Sequence, residues 1–259
     1  MWKTVHRWVR SGLVGAAFVV FYCGGGVLGW SVLPLVWLLG PGPSEVRARR
    51  CRRWVSTTFR WFFDYMRWMG FFDYNPRSFD PPRPAPCFVL VANHPTLVDV
   101  IALLAAYPDA TVLVKGKRYH NPLLGLLFRC CGFLDGGDGT AAGGIEVVER
   151  TCASVMSGCP VLIFPEGTRS SPGELLPFKR GAMRIARAAG VPLQPLFIRC
   201  DPPVLTKGRG WYSFPLNVVH YAIESMDPVR LADQKAGDRA LMRGLRRTYE
   251  GRLKSSHGS

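Results

Sequence analysis

The chain has 259 residues, and Lys and Arg outnumber Asp and Glu by 33 to 18, which gives a formal net charge of +15. A chain of this length can bury a sizeable core, and one catalytic domain with an appendage is the simplest arrangement. The positive charge indicates a polyanionic partner, and an aromatic content of 12% favours a membrane surface over a nucleic acid.

The cysteines exclude two further classes of protein. The eight cysteines form no C-x-x-C pair, and two of them are adjacent. This pattern suits neither a disulfide framework nor a zinc site, so reduced thiols and no metal are expected.

The N-terminal region, residues 1–74, is predicted to anchor the chain in a membrane. No charged residue occurs from Ser11 to Ser44, a stretch longer than the ~20 residues that a helix needs to cross a bilayer. Basic residues flank it on both sides, which places both flanks in the cytoplasm. We therefore expect a re-entrant helical hairpin over residues 11–44, bent at Gly24–Gly26, on the cytoplasmic face of the (inner) membrane. A single tilted span is the alternative.

The following segment, residues 45–72, combines many aromatic side chains with arginines. This composition suits an interfacial helix in the headgroup layer, and it equally suits a helix packed on the core of the next domain. A proline-rich stretch, residues 75–86, then marks a boundary. The sequence therefore predicts a catalytic domain over residues 75–259.

Within this domain, β-type runs alternate with helical stretches. The predicted strands cover residues 87–92, 110–114, 132–135, 161–164, 193–198 and 217–223. The predicted helices cover residues 98–106, 122–130, 143–157, 181–189 and 233–253. The alternation indicates an α/β fold with a largely parallel sheet flanked by helices.

Two of the predicted strands end in polar motifs. One ends at Asn93-His94, and Asp99 follows in the next turn, where a carboxylate can orient an imidazole for proton abstraction. The strand over residues 161–164 ends in a Pro-Glu-Gly-Thr-Arg turn, whose N–H groups, hydroxyl and guanidinium suit an anion. Each motif alone also fits a helix cap or a surface turn. Because parallel strands open onto one edge, the two motifs can meet in one site.

Together these motifs resemble those of the glycerolipid acyltransferases, the family of 1-acyl-glycerol-3-phosphate and other lysophospholipid acyltransferases. NHPTLVD, residues 93–99, is similar to the family's NHx4D signature. FPEGTRS, residues 164–170, resembles its third block, and VPLQP, residues 191–195, resembles its fourth. Order and intervals also agree, and the resemblance covers roughly residues 75 to 225.

The resemblance implies a membrane-bound O-acyltransferase in which His94 is the general base and Asp99 orients it. It implies direct attack of the acceptor hydroxyl on the thioester of acyl-CoA or acyl-carrier protein, with no resident cofactor; the absence of a G-x-S-x-G motif fits this route. The acceptor's polar or phosphate group is assigned to Glu166, Gly167, Thr168 and Arg169. Further candidate contacts are Asn93, Lys115, Lys117, Lys179 and Arg180.

One departure from the family concerns the acceptor. The family's second block carries an arginine that contacts the glycerophosphate, whereas Gly136 and Gly137 stand at the matching positions. Thr96 stands where many members have serine. The acceptor therefore stays open between 1-acyl-glycerol-3-phosphate, a related lyso-lipid, and a specialised lipid such as an aminolipid or polyene ester. A non-catalytic lipid-binding protein of the same fold is the alternative, and the donor, acyl-chain length and oligomeric state are left open.

Overall fold

The computed structural model describes residues 2–81, 83–137, 141–206, 208, 214–231 and 237–257. The strands are β1 Phe72–Asp73, β2 Val89–Ala92, β3 Thr111–Val114, β4 Leu134–Asp135, β5 Val161–Ile163, β6 Leu193–Asp201 and β7 Val219–Ser225. The α-helices are α1 Trp2–Val27, α2 Leu33–Leu39, α3 Ser44–Trp68, α4 Asp99–Ala106, α5 Gly116–Tyr119, α6 Gly125–Cys130, α7 Ala141–Met156, α8 Gly181–Ala188 and α9 Asp238–His257. The predicted start of the last helix, residues 233–236, lies outside the described residues.

The strands form a single sheet in the order β1-β7-β6-β2-β5-β3-β4. All neighbouring strands are parallel except β6 and β7, which are antiparallel. The predicted α/β fold with a largely parallel sheet is therefore confirmed. Strand β2 lies between β5 and β6, so the strand that precedes His94 is the direct neighbour of the strand that precedes Glu166.

Both faces of the central strand are covered, which explains its continuous apolar sequence. Leu90 and Ala92 belong to one buried cluster, together with residues of α3 and α4. Val89 and Val91 belong to a second buried cluster, together with residues of α8 and α9. The polar residues that follow β2 are therefore delivered to the carboxyl edge of a sheet that is closed on both faces.

The N-terminal apolar stretch is one continuous helix, and the predicted hairpin bend at Gly24–Gly26 is wrong. Helix α1 passes through a π-helical turn, Leu28–Val32, directly into α2. In that turn the Leu33 N–H donates to the carbonyl of Leu28, and this wider turn accommodates Pro34, which cannot donate a backbone hydrogen bond. The chain reverses only at residues 40–43, before α3. Within the described residues, one helix, Trp8–Leu39, is long and apolar enough to cross a membrane.

Glycines of this helix serve as contact points with the rest of the fold. A Cβ atom at Gly29 would lie 2.9 Å from the Cβ of Leu127, and one at Gly26 would lie 2.6 Å from Cδ1 of Leu123. The indole N–H of Trp30 donates to the carbonyls of Pro122 and Leu123, at 3.2 Å each. The absence of side chains therefore lets the helix lie close against the segment that leads into α6.

We expect Gly29→Ala and Gly24→Ala to change stability in opposite directions. At Gly29 the added methyl meets Leu127, including its backbone, and overpacking of this kind costs about 1–3 kcal/mol. At Gly24 nothing lies within 4 Å, so the higher helix propensity of alanine stabilises by up to about 1 kcal/mol. Thermal unfolding of both variants in detergent micelles measures the difference. Equal melting temperatures would contradict the close contact at Gly29.

Helix α3 packs on the domain core with one face, as one of the two expectations for the aromatic segment requires, and the interfacial position stays a prediction. Phe63 and Met66 are fully buried in the domain core. Trp54, Trp61 and Trp68 are exposed on the other face. The helix ends at Trp68, short of the predicted residue 72, because the chain there changes direction to form β1.

The core is continuous across the predicted domain boundary at residue 75. Strand β1 pairs in parallel with β7, so a strand from before the boundary belongs to the sheet of the catalytic domain. Phe79, from the proline-rich stretch, is buried and packs against Phe63 of α3. The division into residues 1–74 and 75–259 stays a prediction about independent folding units.

Candidate active site

His94 and Asp99 form a pair at the carboxyl edge of the sheet. His94 follows the end of β2, and Asp99 is the first residue of α4. The Nδ1 atom of His94 lies 2.9 Å from Oδ2 of Asp99, whose side chain is fully buried. The His94 ring stacks on Phe164 with 4.1 Å between the ring centroids. A proton on Nδ1 satisfies the carboxylate, and this tautomer leaves Nε2 free to accept a proton from a substrate.

The Asp99 carboxylate is held by three further donors. The backbone N–H of Thr96 donates to Oδ2 at 2.7 Å, and the Thr96 hydroxyl donates to Oδ1. The hydroxyl of Tyr221 donates to the same Oδ1 at 3.0 Å. Burial raises the pKa of Tyr221 well above its ordinary value, so the phenol remains protonated and acts as a donor. The orientation of the carboxylate is therefore determined by groups other than His94.

Tyr221 was not found from the sequence. It lies on β7, 122 residues from Asp99, in a segment that resembles none of the family's blocks. Thr96, by contrast, belongs to the motif that resembles NHx4D, and its hydroxyl donates to Asp99 as a serine hydroxyl would. The tyrosine reaches the site only because β7 folds back antiparallel to β6.

Glu166 holds the loop that carries His94. Its Oε1 accepts from the backbone N–H of His94 at 3.0 Å, and its Oε2 accepts from the backbone N–H of Leu176 at 2.8 Å. Burial raises the pKa of Glu166, while these donors act in the opposite direction. The resemblance assigned this residue to the acceptor's polar group, but both carboxylate oxygens accept backbone bonds, so its observed contacts are those of a positioning residue.

The cation of the second motif, Arg169, is bonded to the segment that faces this loop. Arg169 is half-buried, and its Nη1 donates to the carbonyl of Leu205 at 2.8 Å. That carbonyl also accepts from the N–H of Leu97, at 3.2 Å, so Arg169 is tied to the segment between His94 and Asp99.

The Glu-Gly-Thr-Arg turn needs a glycine because the side chain of Lys179 lies too close for a Cβ atom. Gly167 has a φ of +71°, and a Cβ atom there would lie 2.8 Å from Nζ of Lys179. The ammonium group of Lys179 therefore lies against the turn. Thr168 is half-buried in the same turn.

The remaining residues predicted to contact a substrate lie in three different places. Lys115 and Lys117 are exposed in the segment after β3, which neighbours β5, so they border the same edge of the sheet. Arg180 is exposed at the start of α8. Asn93 is buried, and its side chain both donates to the carbonyl and accepts from the N–H of Ile198, at 2.9 and 2.7 Å. It links β2 to β6 rather than facing a substrate.

The glycines that replace the family's second-block arginine lie directly against β3. The N–H of Gly136 donates to the carbonyl of Val114 at 2.7 Å, and a Cβ atom at Gly136 would lie 3.1 Å from the same oxygen. Gly137 has a φ of +70° and accepts from the N–H of Gly116 at 3.3 Å. A side chain at Gly136 would therefore begin in tight contact with the backbone of β3. Residues 138–140 of this block lie outside the described residues.

Part of the chain matches a family of known proteins. Residues 80–199 match the family model described as Acyltransferase. Over 183 residues, 70% of this chain and 63% of the relative, the chain is 29% identical to human 1-acyl-sn-glycerol-3-phosphate acyltransferase beta. It is 30% identical over 128 residues to a chloroplastic 1-acyl-sn-glycerol-3-phosphate acyltransferase of Brassica napus, which covers 49% of this chain and 37% of the relative. The matched parts thus span between about a third and two thirds of these relatives.

The fold has a counterpart among solved structures. The crystal structure of the 1-acyl-sn-glycerophosphate (LPA) acyltransferase PlsC from Thermotoga maritima superposes with a TM-score of 0.73 and covers 98% of both chains. The sequence identity is 20%, so this similarity shows a shared fold.

The His–Asp pair and the Glu-Gly-Thr-Arg turn both lie within the part of the chain that matches this family model. Residues 80–199 are similar to the Acyltransferase family, and the predicted resemblance to the glycerolipid acyltransferases is confirmed as a similarity to relatives of that name.

Proposed function

We propose that this protein is a membrane-associated O-acyltransferase that moves a fatty acyl group from a thioester to the hydroxyl of a lysophospholipid-like acceptor. The observation that carries the proposal is the His94–Asp99 pair, 2.9 Å apart, at the edge of the sheet next to the Glu-Gly-Thr-Arg turn. The names of the relatives support 1-acyl-glycerol-3-phosphate as the acceptor.

In the proposed reaction His94 acts as a general base. Its Nε2 takes the proton of the acceptor hydroxyl while the oxygen attacks the thioester carbonyl. The tetrahedral intermediate then breaks its C–S bond, and the leaving thiolate takes the proton back from the imidazolium. Asp99 stabilises the imidazolium in between, as the third member does in other hydroxyl-activating sites. The thioester is acyl-CoA or acyl-carrier protein, and no acyl-enzyme is formed.

The acceptor's anionic group is proposed to bind at Arg169, with Lys179 beside it. The guanidinium offers a fork of donors that matches a phosphate, of which one is used in the bond to Leu205. The apolar helix Trp8–Leu39 and the exposed tryptophans of α3 support an arrangement in which the acceptor is drawn from the membrane. We propose that the site faces the cytoplasm, because arginines crowd the start of α3.

An acyl-transfer assay tests the function. Purified protein in mixed micelles is offered acyl-CoA and acyl-carrier protein, each with lysophosphatidic acid, other lysophospholipids and lyso-aminolipids, and products are identified by mass spectrometry. We expect one donor and one class of acceptor to give a product with a second ester-linked acyl chain. Binding of lipid without turnover for every pair would instead favour the non-catalytic lipid-binding protein.

Arg169→Ala is expected to lower kcat/KM for a phosphate-bearing acceptor about 100-fold, mainly through KM, because a charge-assisted bond to the phosphate is lost. Steady-state kinetics at varied acceptor concentration measure the effect. Arg184→Ala, at an exposed arginine on α8, is the matched control and should leave kcat/KM unchanged. An unchanged acceptor KM in Arg169→Ala would place the phosphate elsewhere.

A further inference from the structure

We propose that Tyr221 is a positioning residue that orients the Asp99 carboxylate and limits how strongly it attracts a proton onto His94. This inference rests on the proposed role of His94 as general base. It assigns a function in catalysis to β7, a strand outside the motifs that resemble the family's blocks.

The geometry separates the two oxygens of Asp99. Oδ2 faces His94 Nδ1 and the Thr96 N–H, while Oδ1 accepts from two hydroxyls, those of Thr96 and Tyr221. Thr96 lies three residues from Asp99 and belongs to the same loop. Tyr221 is therefore the donor that fixes the carboxylate relative to the sheet.

The tyrosine itself is held rigidly. Its side chain is buried, and its ring packs against Phe63 and Phe72, with centroid distances of 5.6 and 6.2 Å. Strand β7 is paired with β6 on one side and with β1 on the other. A hydroxyl mounted in this way restrains its acceptor, and its burial means that it does not touch a substrate.

Among the described residues, further titratable groups near the His94–Asp99 pair lie on β6 and in the turn after β5. Cys200 of β6 is within electrostatic range of both Tyr221 and Asp99, and Asp201 follows it. Burial raises the pKa of the Cys200 thiol to about 12, so it is neutral during catalysis. Glu166, which accepts from the backbone N–H of His94, also interacts with its imidazole electrostatically. These groups are common to all the variants below.

The expected effect follows from the number of donors to the carboxylate. Without the Tyr221 hydroxyl, the Asp99 carboxylate accepts one hydrogen bond fewer. Its negative charge is then less stabilised, so the carboxylate attracts the imidazolium of His94 more strongly. His94 then stays protonated to a higher pH and is unavailable as a base over a wider range. The carboxylate is also freer to turn away from Nδ1, which lowers the rate at every pH.

The test is Tyr221→Phe, with Tyr249→Phe as its matched control. Tyr249 is equally buried, and its hydroxyl also bonds to the central strands, donating to the Val91 carbonyl at 2.8 Å and accepting from the Leu196 N–H at 3.2 Å. It lies on the opposite face of the sheet, in the second buried cluster. Loss of its hydroxyl reproduces the structural cost of Tyr221→Phe without the contact to Asp99.

In the plot of kcat/KM against pH, we expect Tyr221→Phe to move the acidic limb to higher pH by about half a unit. We also expect it to lower kcat about three- to tenfold. Both KM values should stay within about twofold, since the residue touches no substrate. NMR titration of the five histidines, with His94→Ala to assign the signal, should show the same upward shift for His94 in the absence of substrate. Tyr249→Phe should leave the limb and the His94 titration where they are.

A second substitution keeps the test decisive if the phenylalanine variant is unstable. Tyr221→3-fluorotyrosine retains the hydroxyl and makes it a stronger donor, so the acidic limb should move downward. The inference is overturned if Tyr221→Phe, or the fluorinated variant where the phenylalanine variant does not fold, keeps the parent profile while His94→Ala is inactive. An active His94→Ala would instead overturn the proposed mechanism itself.

Discussion

His94→Ala is expected to lower kcat for acyl transfer by about 10³-fold, within the range by which positioned general bases accelerate reactions. The variant removes the group that takes the acceptor proton and leaves the Asp99 carboxylate bonded to Thr96 and Tyr221. Folding and membrane association should therefore persist. Single-turnover assays at saturating donor and acceptor, together with thermal unfolding and vesicle flotation, measure both parts of the prediction.

His220→Ala provides the control for this experiment. His220 also pairs with a carboxylate on the same sheet, with its Nδ1 atom 3.4 Å from Asp73, but both side chains are exposed. Its loss should change kcat by less than about twofold, because an exposed pair of this kind contributes little. Undiminished transfer by a well-folded His94→Ala protein would exclude the general-base mechanism.

Asp99→Asn is expected to lower kcat by about 100-fold or more while preserving the geometry of the site. The Thr96 N–H can only donate, so it selects the amide oxygen for the position that faces His94. The amide nitrogen then faces the hydroxyls of Thr96 and Tyr221, which can rotate to accept. The variant therefore removes the charge that stabilises the imidazolium without changing the tautomer of His94.

The pH profile distinguishes this charge effect from damage to the fold. Without the carboxylate charge the imidazolium of His94 loses its stabilising partner, so the acidic limb of kcat/KM should move to lower pH. This direction is opposite to that expected for Tyr221→Phe. If the limb stayed in place or moved to higher pH in Asp99→Asn, the assignment of Asp99 as the electrostatic partner of His94 would be wrong.

Several features followed from local sequence patterns. The alternation of β-type and helical stretches predicted the fold class, because a sheet covered by helices on both faces needs continuous apolar strands such as Val89–Ala92. The interval between His94 and Asp99 predicted their pairing, because it spans one loop and the first residue of a helix. The position of the second motif at the end of a strand predicted that both motifs share one edge of the sheet.

The path of the N-terminal apolar helix was predicted less well, because it depends on packing. Gly24–Gly26 and Pro34 read as helix breakers in isolation. In the structure, Gly26 and Gly29 are sites of close contact with Leu123 and Leu127, and the π-helical turn accommodates the proline. Whether a glycine bends a helix or docks it depends on a neighbouring segment that is remote in sequence.

The sequence by itself determined the fold class, the acyltransferase motifs and the chemical types at the edge of the sheet, because these depend on residues close together in the chain. Only the tertiary structure decided how the base is supported. The bonds from Glu166 to the backbone of His94, and from Tyr221 to Asp99, join residues 72 and 122 positions apart. Contacts over such separations depend on the order and direction of the strands, which no local pattern encodes.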